Sequence, residues 1–202
     1  LGEVVVTFTK KDGTERVMKC TTSTELVPLV EEKVHVTNTD NPIDFPMTTS
    51  KLKHVKGNLL NLAEAGEFQI VVQGCNCFNT MGGGIAREIR ERYPMAATVD
   101  NETLKGNYCK LGNFTTAFTG KFLIVNAYTQ FNMSQGSDVF EYTAFQLILE
   151  KLTFVYPGKR WGIPYIGMGL AGGDKDVIIP MIEWFSDRVS LESGTVTLVE
   201  FS

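Results

Sequence analysis

From residue 55 onward the chain alternates short apolar runs with stretches of helical period, and this alternation limits the possible folds more than any other feature. Ile70-Val71-Val72 is a continuous β-branched run, the pattern of a strand buried on both faces. Residues 85–93 read as a helix that stops before Pro94, because a residue preceding proline is excluded from helical backbone. Residues 114–118 and 122–128 read as strands around Thr119-Gly120-Lys121. Phe140, Ala144, Leu147, Ile148 and Leu152 recur at helical spacing. Residues 160–166 predict a strand, 177–185 a helix and 195–201 a closing strand. Strands interleaved with helices predict an α/β architecture, a central mixed sheet covered by helices on both faces.

The first fifty residues follow another rule. Val4-Val5-Val6-Thr7-Phe8-Thr9 and Arg16-Val17-Met18-Lys19-Cys20-Thr21 are extended runs, and Asp12-Gly13 between them is a hairpin signal. Further extended pieces at 34–37 and 43–47 follow, with a turn around 23–26. The pattern predicts a small, mostly β module over residues 1–52 and a second domain over 53–202.

Several functions are excluded by what the chain lacks. The longest apolar stretches fall far short of the roughly 18–20 residues that span a bilayer, so no membrane partner is expected. No charged-then-apolar leader opens the chain, which fits a cytoplasmic setting. Lys plus Arg number 19 against 23 for Asp plus Glu, and the net charge of −4 argues against a domain built mainly to hold nucleic acid. Cys20, Cys75, Cys77 and Cys109 form neither a disulfide framework nor a zinc-ligand spacing, so no metal and no cofactor are expected. His35 and His54 are the only histidines, which removes imidazole-dependent schemes from the rest of the chain.

Two glycine-rich loops each join a strand to a helix. In the first, Gly82-Gly83-Gly84 opens a helix and exposes backbone N–H groups at its positive end, a setting suited to phosphate. It is no P-loop, because Ile85-Ala86-Arg87 stands where Lys-Ser/Thr is needed. The second, Gly167-Met168-Gly169-Leu170-Ala171-Gly172-Gly173-Asp174, carries the G-x-G-x-x-G spacing. Only one helix and one strand follow it, too little for the dinucleotide-binding unit that this fingerprint normally opens. Both loops fall at the carboxyl ends of strands, where open α/β sheets bind ligands, and together they can grip a diphosphate from two sides.

On these residues, 55–202 resembles a macro domain, the module that binds ADP-ribose and its derivatives. The resemblance rests on Asn76 followed by Gly82-Gly83-Gly84-Ile85, on the opening Val55-Lys56-Gly57-Asn58-Leu59-Leu60, and on the loop from Ile166 to Gly173. Gly74-Cys75-Asn76-Cys77 with Arg92-Tyr93-Pro94 is most similar to the branch that includes a yeast ADP-ribose-1″-phosphate phosphatase. The resemblance implies a three-layer α/β/α fold around a mixed sheet. The N-terminal segment resembles, more loosely, the Sm-like or SH3-like barrels of tailed-phage proteins, which implies a phage-encoded protein acting in host cytoplasm.

The resemblance also implies roles. Asn58 would accept a hydrogen bond from the adenine amino group, and Asn76 would contact the distal ribose. Gly82, Gly83, Gly84 and Ile85 would present N–H groups to the diphosphate, while Gly167, Gly169, Leu170, Ala171 and Gly172 wrap the other side. Tyr128 would flank the ligand or pack in the core. Three established catalytic types are missing, since Ala86, Gln73 and Asn126 stand at their positions. Asp174 remains the best-placed carboxylate, either activating water or capping the next helix, with Asp176 a rival cap that would put Pro180 in the first turn. The expected activity is hydrolysis of an ADP-ribosyl derivative, ADP-ribose-1″-phosphate or an ADP-ribosylated protein or nucleic acid. The alternative is a reader that binds without turnover. A third reading gives nucleic-acid binding to the N-terminal barrel.

Overall fold

A computed structural model describes the backbone of Gly2–Thr9 and Glu15–Thr22, and residues 51–132 and 139–202 in full. The chain divides into two compact units, Leu1–Pro46 and Met47–Ser202. In the first, β1 (Gly2–Thr9) and β2 (Glu15–Thr22) pair antiparallel, with Val4 opposite Cys20 and Thr7 opposite Val17. The Asp12-Gly13 turn, the extended pieces at 34–37 and 43–47 and the barrel reading lie outside the described residues.

The second unit is built on a six-stranded sheet of β3 (Lys53–Lys56), β4 (Ile70–Asn76), β5 (Phe114–Phe118), β6 (Leu123–Gln130), β7 (Arg160–Pro164) and β8 (Thr195–Glu200). Their order across the sheet is β3-β8-β7-β4-β6-β5, all parallel except the antiparallel edge pair β5–β6. Helices α1 (Leu59–Glu64), α2 (Gly84–Arg92), α3 (Pro94–Asn101), α4 (Tyr142–Val155) and α5 (Lys175–Leu191) cover both faces. The period of two along the strands sorts the core. Ile70, Val72, Val125 and Ala127 meet Phe145, Ile148 and Leu149 of α4 and Ile182 and Phe185 of α5. Val71 and Ile124 point the other way, against Leu59, Leu60, Ile89 and Ala96. Each such buried Val, Leu, Ile or Phe side chain stabilises the fold by about 1.5–3 kcal/mol. This is the three-layer arrangement expected from the alternation.

Details differ at the element ends. Tyr93, before Pro94, leaves helical backbone at φ −133 and ψ 71 and breaks the helix, but Pro94 then opens α3 at the position where proline costs least. The strand read over 160–166 ends at Pro164, because residues 165–173 turn away to form the second glycine loop. Helix α5 runs from Lys175, not 177, with Asp174 as its cap. Pro180 therefore sits inside the helix and not in its first turn, so it removes one intrahelical hydrogen bond.

Candidate functional site

Strands β4 and β6 run parallel, so their carboxyl ends rise together and bring Asn76 level with Gln130. The first loop leaves β4 at Asn76. The Asn76 side-chain amide donates to the Thr80 carbonyl oxygen at 3.0 Å and to its hydroxyl at 2.7 Å, while its Oδ1 accepts from the Phe78 N–H at 2.9 Å. Asn76 thus folds the loop around itself. Asn79 takes φ 58 and is held from behind. Its amide donates to the carbonyl oxygens of Asp100 and Thr103 at 2.7 and 3.1 Å, and its Oδ1 accepts from Lys110 Nζ at 2.6 Å.

Lys110 and Asp100 form a buried ion pair at 3.4 Å, their side chains only 7% and 2% exposed. The Tyr128 hydroxyl donates to the same Asp100 oxygen at 2.9 Å, and Lys110 Nζ lies 4.3 Å from the Tyr128 ring centre. Burial, reinforced by that carboxylate, pushes the Tyr128 phenol above its ordinary range. Burial likewise pushes the Cys75 and Cys77 thiols up, so both remain protonated fillers.

The loop ends at Gly83, which caps α2 with no side-chain hydrogen bond, and no acidic residue occupies the first turn of that helix. Gly84 takes φ +53, the left-handed region that favours glycine. The N–H groups opening α2 have no acceptor within the helix, and the positive end of the helix dipole lies there. The second loop is a series of tight turns. Met168 N–H donates to the Tyr165 oxygen at 3.2 Å, Gly172 to Gly169 at 3.0 Å and Gly173 to Gly167 at 2.9 Å. Gly167, at φ +77, passes so close to Phe140 that a Cβ would sit 2.3 Å from the ring. The loops converge at Leu170, whose Cδ1 would lie 3.0 Å from a Cβ added to Gly83.

Between the loops lies a cleft of about 480 Å³. One wall holds Asn76, Gly82, Gly83, Gly84 and Ile85, the other Gly167, Gly169, Leu170 and Ala171. The floor adds residues that the sequence reading missed, notably Gly74, Thr129, Gln130, Tyr165 and Ile166. The polar pair Thr129-Gln130, ending an apolar strand parallel to the one that ends in Asn76, was the available signal for two of them. Among the described residues lining the cleft, the Tyr165 phenol is the only titratable side chain.

Four expected site residues lie off this wall. Tyr128 belongs to the core, committed to Asp100. Asn58 caps α1, with Oδ1 accepting from Asn61 N–H at 3.0 Å and Nδ2 donating to Glu88 at 3.1 Å. Gly172 lies outside the lining, within its turn. Asp174 is exposed and caps α5, accepting from Asp176 N–H at 2.8 Å, and its own N–H donates to the Tyr142 hydroxyl at 2.9 Å. Gln73 and Asn126, at two of the missing catalytic positions, are fully buried and joined by a 2.7 Å hydrogen bond between their amides.

No family model matches the chain. An uncharacterized 17.5 kDa protein from the tk-vs intergenic region of Enterobacteria phage T4 is 30% identical over 149 residues, 69% of this chain and 93% of that protein. Among solved structures, the macrodomain of Mycobacterium tuberculosis DarG superposes with a TM-score of 0.57 at 21% identity, covering 74% of this chain and 96% of that one. A Trypanosoma brucei macrodomain in complex with ADP-ribose gives 0.54 at 10% identity, over 75% of this chain and 63% of that one. About three quarters of the chain, 74–75% in these two superpositions, therefore has the macrodomain fold. No helix among the described residues is long and apolar enough to cross a membrane.

Proposed function

This chain belongs to the family of the phage T4 17.5 kDa protein, and from that premise we propose that it binds ADP-ribose, or a group carrying it, between its two glycine loops. The observation that carries the reading is the uncapped N-terminus of α2, which opens on the cleft with no carboxylate in its first turn. The diphosphate accepts from these N–H groups, and Gly167–Ala171 closes over it from the other side. Helix α5 offers no such seat, because Asp174 and Asp176 already occupy its positive end. The distal ribose lies toward Asn76, Thr129 and Gln130, whose amide and hydroxyl groups match vicinal hydroxyls. Asn58 Oδ1 keeps one lone pair for the adenine amino group beyond its helix-cap bond. The ADP-ribose complex of the trypanosomal macrodomain supports the same ligand class. The phage-encoded relative supports an infected bacterium's cytoplasm as the setting.

The wall favours recognition over turnover. A general base must reach the reacting atoms within hydrogen-bond distance, and the cleft wall offers no carboxylate, imidazole or amine among the described residues. Hydrolysis here would have to draw its base from the substrate's own phosphate, or bring Asp174 out of its capping bond. Titration calorimetry is expected to show one-to-one binding of ADP-ribose. Gly83→Glu is expected to abolish it, by placing bulk and like charge against Leu170 and the diphosphate. Incubation with ADP-ribose-1″-phosphate should release no phosphate. Absence of binding heat with the wild-type protein overturns the proposal.

A further inference from the structure

The two edges of the six-stranded sheet are built differently. At one edge β3 reads Lys53-His54-Val55-Lys56 and is exposed along its length, so cationic side chains guard its open backbone. At the other edge β5 reads Phe114-Thr115-Thr116-Ala117-Phe118, with no charge, no proline and no register shift against β6. The devices that keep a sheet edge from pairing are absent there. The Asn113 oxygen accepts from Tyr128 N–H at 3.0 Å, and Thr119 N–H donates to the Phe122 oxygen at 3.0 Å, so the odd-numbered residues of this stretch face β6. Phe114, Thr116 and Phe118 therefore turn their N–H and C=O groups outward, where no described strand meets them.

An apolar strip runs beside this edge. Phe114 packs against the α4–α5 side of the core, and the period of two puts Phe118 on the same face, 65% exposed. Strands β6 and β7 both run parallel to β4, so α4 between them returns in the direction of β5. Leu147 of α4 lies over the turn that enters β5, its Cδ1 3.2 Å from a Cβ added to Gly112. Lys151, one turn on, donates to the Gly112 oxygen at 2.7 Å and to Asn113 Oδ1 at 2.6 Å. Phe154 continues this line along the helix toward the level of Phe118 and is 85% exposed.

We propose that β5 seats a second copy of this chain, the two β5 strands pairing antiparallel about a twofold axis at Thr116 and joining two sheets into one. The strand is matched to itself. Centred on Thr116, antiparallel pairing sets Phe114 of one copy opposite Phe118 of the other, and each exchanges its outward N–H and C=O with its mate. The same axis keeps both α4 helices on one face of the joined sheet, where Phe154 of one copy comes toward Leu147 of the other. A charged partner finds no counter-charge on the strand, and a foreign strand would match its pattern by chance alone, where a second copy matches it by symmetry. The cationic β3 edge repels its own kind, so the contact closes as a dimer and does not propagate into an open row of sheets. The exposed parts of Leu147, Phe154, Val155 and Phe118 come to on the order of 400 Å² per copy. With the strand edges, the contact reaches the low end of stable interfaces, roughly 1,200 Å² in total. Antiparallel pairing turns the two clefts toward opposite ends of the joined sheet, so each binds its ligand independently of the contact.

Sedimentation equilibrium of the full chain is expected to show a monomer–dimer equilibrium with a dissociation constant of about 1–50 μM. Phe118→Lys, which places a charge on an exposed position of the edge, should raise that constant at least about a hundredfold and leave the circular dichroism spectrum and thermal melt unchanged. Thr116→Pro, which removes an outward N–H that β6 does not use, should do the same. Val55→Lys, on the opposite edge, should leave the dimer intact. Amide exchange followed by NMR locates the contact. The N–H groups of Phe114, Thr116 and Phe118 should exchange fast in dilute protein and slow as the dimer fills. A chain that stays monomeric up to about 500 μM overturns the proposal. So does a dimer that persists in both β5 variants. Outward amides protected equally at every concentration overturn it as well, since the edge would then be covered from within the chain.

Discussion

At the residue scale, Asp174 is the sharpest case. Its side chain accepts from Asp176 N–H and the residue is exposed off the cleft wall, so its substitution is expected to register in stability. Asp174→Ala should cost about 1 kcal/mol in urea unfolding through loss of the cap, and Asp174→Asn, which caps equally well, almost nothing. Both variants should keep full ADP-ribose affinity by calorimetry. Were both to abolish a measured turnover at unchanged stability, the carboxylate would be chemical and not structural. The same residue shows how far single positions were legible. A carboxylate after a glycine loop reads equally as base or cap in sequence, and only the hydrogen bond to Asp176 separates the two. Tyr128 was ambiguous for a related reason. Its strand position is plain, but its partner Asp100 is 28 residues away, on a helix the sequence reading did not find.

At the element scale, the first loop is held by charges set beneath it. Lys110 fastens Asn79, and with it the left-handed turn that aims the glycine run at the cleft. Lys110→Met is expected to destabilise by about 3–5 kcal/mol in urea unfolding, because Asp100 is left buried without its counter-charge. Combining it with Asp100→Asn should cost clearly less than the two single changes added together. The strands and long helices were readable because burial on one or two faces writes a period into the sequence, as in Ile70-Val71-Val72 or Phe145 to Leu152. Helix α3 was not, since Pro94 both ends one helix and starts another, and the sequence signal for the two events is identical. The start of α5 lies two residues before the 177 read from the apolar pattern, and its cap is Asp174, one of the two caps that the sequence offered.

At the scale of the whole molecule, the unit beginning at Met47 is expected to fold as a separate fragment and bind ADP-ribose within about tenfold of the full chain, roughly 1.4 kcal/mol. A fragment beginning at Lys53 should be less stable by about 1.5–3 kcal/mol. It lacks Leu52, which is buried against the α4–α5 face of the core, and Lys51, which donates to the Ser190 hydroxyl at 3.0 Å. Thermal melts of the two fragments check this. The strand order carries a consequence for synthesis. Strand β8 follows every other described element, yet it lies between β3 and β7 and joins the earliest strand of the sheet to the rest. While the ribosome still holds residues 195–200, β3 has no partner among the other described strands and one flank of β7 stays open. The sheet can therefore close only once β8 itself is free to pair, and a polypeptide cut short before Thr195 leaves β3 outside the sheet, however complete its two loops.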